Sequence, residues 1–167
     1  MPIKNSRIKP IETNYRGCRF RSRTEARWAV FFRALNLPYE YEKEGFDLAG
    51  TWYLPDFYLP TLACGPGYPL GAWLEVKGVQ PSDDELEKCG LLAAGTEKIV
   101  LIMAGAPTSD ETPVMYKFHH TEAGVRPYGP AELIYFVCYE PLRSNKGITH
   151  QTIRYAANIA RSERFGT

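Results

Sequence analysis

Glu25, Asp56, Glu75 and Lys77 are the residues of this chain best suited to chemistry. Asp56 stands in Leu54-Pro55-Asp56-Phe57, and the next pair in Trp73-Leu74-Glu75-Val76-Lys77-Gly78, so each charge sits where packing alone would favour a hydrophobe. Desolvating an unpaired charge is expensive, and carboxylates at the edge of a core therefore tend to face a cation or a substrate. Residues two apart in a strand share a face, which turns Glu75 and Lys77 one way and Leu74 and Val76 into the core. Asp56, on a neighbouring strand, would lie beside Glu75. Two such carboxylates repel each other and one pKa rises, until a hard divalent cation accepts their oxygens. Magnesium retains several waters, and one of them, made more acidic, can attack phosphorus. Lys77 would orient the nucleophile or stabilise charge gathering on the phosphate. The chemistry that this set fits best is metal-assisted hydrolysis of a phosphodiester.

The elements that must hold these groups are legible as an α/β pattern. Ser22 with Glu25 three residues on predicts a capped helix start, and Trp28, Ala29, Phe32 and Leu35 form its apolar stripe up to Leu37-Pro38. Tyr39 to Glu42 alternates like a half-exposed strand. Thr51 to Leu59 is aromatic-rich and predicts one strand with Pro55 at an edge or bulge. A Gly/Pro-rich connection from Thr61 to Gly71 leads to a strand over 72–79, giving an antiparallel hairpin. Ser82 and Glu85 again mark a helix start, with Leu86, Cys89 and Ala93 on its buried face and Gly95 placed to cap its end. Lys98 to Met103 is a continuous apolar run, the pattern of a central buried strand. Helix, three strands, helix, strand closes a core near residue 105.

Residues 106–167 then form a C-terminal extension. It contains a loop over 106–113, a strand over 114–119, a stretch over 133–139 that fits either strand or buried helix, and a terminal helix over 150–164. Ile153, Ala156, Ala157 and Ala160 share one side of that helix, leaving Arg154, Arg161 and Arg164 to solvent.

Glu25 carries two readings. It is a natural capping partner for Ser22, yet at about 100° per residue it also lies within the stripe of Trp28, Ala29 and Phe32 and so faces the sheet. The second reading makes it a carboxylate of the metal site, reaching the ion through water. Asp56 could instead be a turn aspartate after Pro55, and Glu75 and Lys77 a solvent-face ion pair. All four in register with an α/β core argue for a site.

At 167 residues, with 44% hydrophobic and 23% charged residues, the chain is long enough for one real core. The net charge of +1 conceals an asymmetry. Residues 1–27 hold Lys4, Arg7, Lys9, Arg16, Arg19, Arg21, Arg23 and Arg27 against Glu12 and Glu25 alone, a net of +6. A basic arm over 1–21 suits a polyanion, as would a basic face on the terminal helix. Contacts from Arg16, Arg19, Arg21, Arg23, Arg161 and Arg164 to phosphates would set affinity and salt dependence rather than sequence choice. Tyr39, Tyr41, Trp52, Tyr53 and Trp73 offer stacking surfaces for bases, although most such residues are ordinary core aromatics.

Cys18, Cys64, Cys89 and Cys138 form no C-x-x-C pair, which argues against a zinc site or a disulfide framework and for reduced thiols in a cytoplasmic protein. His119, His120 and His150 lack ligand spacing and read as surface or strand histidines. No apolar leader or membrane-length run is present.

Pro55-Asp56, Glu75-Val76-Lys77 and the helical Glu25 together resemble the motif of the PD-(D/E)xK nuclease superfamily. Arg21-Ser22-Arg23-Thr24-Glu25-Ala26-Arg27-Trp28 is similar to the same region of small phage and mobile-element endonucleases. The resemblance covers about residues 20–105, with a basic arm over 1–21 and a nuclease core over 22–105. It implies a restriction-endonuclease-like core and an endonuclease acting on DNA. Asp56, Glu75 and the Val76 backbone carbonyl would bind Mg2+, with Mn2+ able to substitute. Lys77 would be catalytic and Glu25 would support metal or water. The 19-residue spacing from Asp56 to Glu75 is longer than in compact members. Cutting both strands of a duplex would call for a homodimer, since one site cuts one strand. The competing expectation is a catalytically inactive DNA-binding or assembly protein on the same fold. A phosphatase or nucleotide hydrolase is disfavoured, because Gly65-Pro66-Gly67 is no phosphate-cradling loop.

Overall fold

The computed structural model describes residues 9–62, 69–107, 114–121, 124–132 and 148–166. Lys4, Arg7, Cys64 and Cys138, the stretch over 133–139 and most of the 61–71 and 106–113 connections lie outside them. The chain begins with a hairpin, β1 (Thr13–Tyr15) and β2 (Cys18–Phe20), around a turn at Arg16-Gly17. Helix α1 (Arg23–Ala34) follows, capped by the Ser22 side chain, which accepts from the Glu25 N–H at 3.1 Å. It stops before Pro38 because Asn36 takes a left-handed conformation. The Asn36 and Leu37 N–H groups then satisfy the Arg33 and Phe32 carbonyls, the double bond of a Schellman stop.

Strands β3 (Glu40–Tyr41), β4 (Phe46–Leu48), β5 (Thr51–Tyr53), β6 (Phe57–Leu59) and β7 (Ala72–Lys77) come next. The single strand predicted over 51–59 is therefore two strands in two different sheets. Thr51–Tyr53 folds back on Phe46–Leu48 through Ala49 and Gly50, both at positive φ, while Phe57–Leu59 pairs with β3 and β7. Pro55, which has no N–H for a ladder, sits at the break.

Helix α2 (Asp83–Thr96) begins in the capping box of Ser82 and Glu85. Gly95 does not end it. The helix runs one residue further and Glu97 takes the left-handed cap, with Thr96 Oγ1 donating to the Leu92 carbonyl at 2.7 Å. Strands β8 (Ile99–Ala104), β9 (Val114–Thr121) and β10 (Gly124–Glu132) and helix α3 (His150–Ser162) complete the described chain.

The result is a mixed α/β fold with three helices among the described residues and a six-stranded sheet in the order β10-β9-β8-β7-β6-β3. β8 runs parallel to β7 and the other pairings are antiparallel. Alternation along β7 and β8 sorts the core into two layers. Leu74, Val76, Ile99, Leu101 and Met103 meet α1 and α3 on one face, whereas Trp73, Val100 and Ile102 meet α2 on the other. β9 and β10 extend this sheet and α3 packs on α1, so residues on both sides of 105 share one core. The expected buried side of α3 is observed: Ile153, Ala156, Ala157 and Ala160 are all at most 4% exposed. Arg27 fastens α1 to the end of α3 by donating to the Ala160 and Arg161 carbonyls at 2.6 and 2.7 Å. No helix among the described residues is long and apolar enough to cross a membrane.

Ala156 is fully buried on the side of α3 that joins the core. Ala156→Leu is expected to destabilise the protein by roughly 1–3 kcal/mol through overpacking. Urea denaturation reads this, and an unchanged midpoint would mean that α3 does not pack as described.

Candidate active site

The β6–β7 ladder sets the geometry. Phe57 pairs with Leu74, and one further step would set Asp56 against Glu75. Beyond the last paired residues the Asp56 side chain takes over from the ladder: its Oδ2 accepts the Val76 N–H at 2.7 Å, and its own carbonyl accepts the Glu42 N–H at 2.9 Å. Asp56 is thus pinned from both ends, with 3% of its side chain exposed. Its Oδ1 pairs with the Arg21 guanidinium.

Glu75 and Lys77 share the α2 face of β7, as the alternation predicts, while Leu74 and Val76 enter the other layer. Lys77 Nζ donates to Glu75 Oε1 at 2.7 Å and pairs with Glu85 at 3.1 Å from the first turn of α2. Glu75 is 6% exposed, and its second oxygen, Oε2, is buried without a hydrogen-bond partner among the described residues. The Tyr53 hydroxyl, 3.5 Å from Cys89 Sγ, lies on the same side; burial, then Cys89 and Glu75, push its ionisation upward.

Glu25 fills both of its sequence-derived roles in part. It is buried and close enough to Asp56 to act on its charge, yet its own oxygens are committed. Oε1 accepts from Ser22 Oγ at 2.7 Å, and Oε2 accepts from the Tyr41 hydroxyl at 2.6 Å and the Arg21 N–H at 3.1 Å. Glu25 therefore anchors Arg21 and Tyr41 rather than presenting an open carboxylate edge. Arg21, expected in the basic arm, is instead built into the centre, bridging Asp56 and Glu42.

The charges balance unevenly. Burial, then Glu75 and Glu25, push Asp56 well above the usual carboxylate range; the Val76 N–H and Arg21 oppose this without cancelling it. Burial works to lower the Lys77 pKa, but Glu75 and Glu85 outweigh it and hold the ammonium above the ordinary lysine value. Lys77 is accordingly a fixed cation at neutral pH. Arg21 is held protonated in the same way by Asp56, Tyr41, Glu42 and Glu25 against the cost of burial.

Among the described residues no three His, Cys, Asp or Glu side chains gather as a ready ligand set. What the centre offers a hard cation is two buried carboxylates from adjacent chain segments, one with an unpartnered oxygen, beside the backbone of Val76. Oxygen donors of this kind fit magnesium, which keeps several waters of its own.

Of the other predicted residues, Tyr41 and Tyr53 border this cluster. Arg19 pairs with Glu12 and Arg16 lies over the Tyr15 ring, both on the β1–β2 hairpin; Arg23 is exposed at the start of α1, and Arg161 and Arg164 are exposed at the end of α3. Trp73 is core, Tyr39, Tyr41 and Tyr53 are partly buried, and Trp52 is 71% exposed, its indole laid against Gly45 where any Cβ would come within 2.2 Å of the ring. His119 is buried in β9, and Cys18 and Cys89 are free thiols. Sequence reasoning offered Tyr41 and Tyr53 only as stacking surfaces and missed their place at this centre, as it missed Glu42 and the pairing of Glu85 with Lys77. The Ser-x-x-Glu pattern did mark Glu85, but only as a cap. The chain matches no family model, no curated protein and no solved structure.

The raised Asp56 pKa has a defined thermodynamic sign. Its contribution to stability is fully present below the unfolded value, about 3.9, and is lost as pH rises through the higher folded value. With chelator present, the stability of wild type relative to Asp56→Asn is expected to fall as pH is raised from about 4 towards neutrality. Denaturation curves across that range test this; a difference independent of pH would contradict the account of Asp56.

Proposed function

We propose that this protein is a magnesium-dependent endonuclease that hydrolyses DNA phosphodiester bonds, on duplex or branched substrates, with a core of the PD-(D/E)xK kind. One observation carries the reading: Asp56, Glu75 and Lys77 converge at the end of the β6–β7 ladder, the two carboxylates buried and Glu75 Oε2 unpartnered. An apolar core retains such a group at a cost of several kcal/mol per ion unless something compensates it. The antiparallel β3, β6 and β7 followed by α2 and a parallel β8 are consistent with a restriction-endonuclease-like core.

Asp56, Glu75 and the Val76 carbonyl would hold the ion, and Mn2+ would substitute for Mg2+. When bound, the ion supplies a more acidic water and neutralises phosphate charge. Lys77, held protonated by Glu75 and Glu85, contributes positive charge where negative charge builds on the phosphate and does not serve as a base. Glu25 acts one step removed, positioning Arg21 and Tyr41. The exposed Arg16, Arg19 and Arg23 near the start of α1, together with Arg161 and Arg164 at the end of α3, would contact backbone phosphates. Cleavage of both strands would proceed through a homodimer.

The second reading, a DNA-binding protein without catalysis, is favoured by one feature: Arg21 already neutralises Asp56. Cleavage of labelled duplex, branched and single-stranded DNA with Mg2+, Mn2+ or EDTA separates the two. Metal-dependent cutting is expected in wild type and absent in Asp56→Ala. Lys77→Ala is expected to lose on the order of a hundred- to a thousandfold in rate while retaining DNA affinity. Binding without cutting under every metal would overturn the nuclease and leave the second reading.

A further inference from the structure

Arg21 occupies an unusual position for a phosphate-binding side chain. Its backbone is tied down, the N–H reaching Glu25 Oε2 at 3.1 Å and the Tyr41 hydroxyl at 3.0 Å. Its guanidinium spans Glu42 Oε1 at 2.8 Å and Asp56 Oδ1. The two partners differ sharply in freedom: 52% of the Arg21 side chain is exposed, against 3% for Asp56. Asp56 cannot follow a departing partner, because the Val76 N–H and the ladder hold it. Arg21 can leave by rotating its own stem from a fixed backbone.

We propose that Arg21 is a displaceable resident cation of the acidic centre, exchanged for a divalent metal when its guanidinium moves to a nucleic-acid phosphate. The inference rests on the nuclease reading above and adds a coupling to it. While Arg21 spans Asp56 and Glu42, Oδ1 of Asp56 is not available to a metal, and the centre stays electrically compensated. Glu75 Oε2, buried and unpartnered, is the oxygen that Arg21 does not serve, so the compensation is incomplete and the centre remains receptive. A phosphate near Glu42 offers Arg21 a bidentate partner as good as a carboxylate. Once Arg21 turns to it, Asp56 loses its resident cation while Glu75 remains close by, and a divalent cation is the remaining group that can serve both carboxylates. Coupling of this kind is reciprocal: the factor by which DNA strengthens metal binding equals the factor by which metal strengthens DNA binding. The device keeps the centre poorly loaded until substrate is present.

The test is calorimetric titration of Mn2+ into the full chain, with wild type, Arg21→Ala, Arg21→Gln and Arg23→Gln, and with Asp56→Asn marking the site. Near-ultraviolet circular dichroism establishes that each variant is folded. In the absence of DNA, Arg21→Ala and Arg21→Gln are expected to bind Mn2+ about tenfold more tightly than wild type. Arg23→Gln removes an equal charge two residues away, at a side chain not paired with Asp56, and is expected to shift affinity far less. Repeating the titration with a short duplex, in a Lys77→Ala background that slows cutting, should tighten Mn2+ binding in the chain that retains Arg21 and leave the Arg21→Gln form nearly unchanged. Equal or weaker Mn2+ binding by both Arg21 variants, or an equal gain in Arg23→Gln, would overturn the resident-cation role while leaving the nuclease reading intact. Absence of any Mn2+ binding sensitive to Asp56→Asn would overturn both.

Discussion

The bond from the Val76 N–H to the Asp56 carboxylate is the constraint on which the rest of the site depends. It stands just past the last β6–β7 pair, Phe57 with Leu74, where a side-chain oxygen accepts a β7 N–H and simultaneously fixes a carboxylate in the core. Everything charged around it follows from that burial. Arg21 is drawn in from the β1–β2 hairpin, Glu42 takes the far side of the guanidinium, and Glu25 and Tyr41 hold the Arg21 backbone. Next to it on β7, Lys77 answers Glu75 and recruits Glu85 from the start of α2.

Such a centre is not built for stability. Replacing buried ion pairs by packed hydrophobes is often neutral or stabilising, and the flanking Phe57, Leu74 and Trp73 demonstrate that this core has no shortage of apolar material. Asp56 remains above the usual carboxylate range in spite of Arg21 and the Val76 N–H, so the compensation falls short. Strongly shifted groups with named charged neighbours, set in a protein interior, are frequent marks of function. Here the excess is negative and the nearby donors are oxygen, which is the electrostatic requirement of a hard divalent cation.

Much of this was legible in the sequence, and the reasons differ by element. The helix starts at Ser22 and Ser82 carry their own caps three residues on, a local signal that needs no tertiary context. β8 announces itself as an unbroken apolar run, and β7 by an alternation that sorts Glu75 and Lys77 from Leu74 and Val76. The run over 51–59 misled because aromatic strand propensity is the same on both sides of Pro55. What divides it is the Ala49-Gly50 turn, with Asp47 Oδ1 accepting the Gly50 N–H at 2.6 Å, which returns β5 to β4. The grouping of Asp56, Glu75 and Lys77 followed from hairpin register. The place of Arg21 did not, since a basic residue before a helix reads as part of a solvated arm until the partner across the fold is known. Tyr41, Glu42 and Glu85 were hidden for the same reason: each meets its partner through the fold and not along the chain.

The most direct test of the central claim is an anomalous-scattering experiment on crystals equilibrated with Mn2+. The account predicts a peak between the Asp56 and Glu75 carboxylates, next to the Val76 carbonyl. Crystals that bind Mn2+ elsewhere, or leave that position empty at saturating metal, would contradict it.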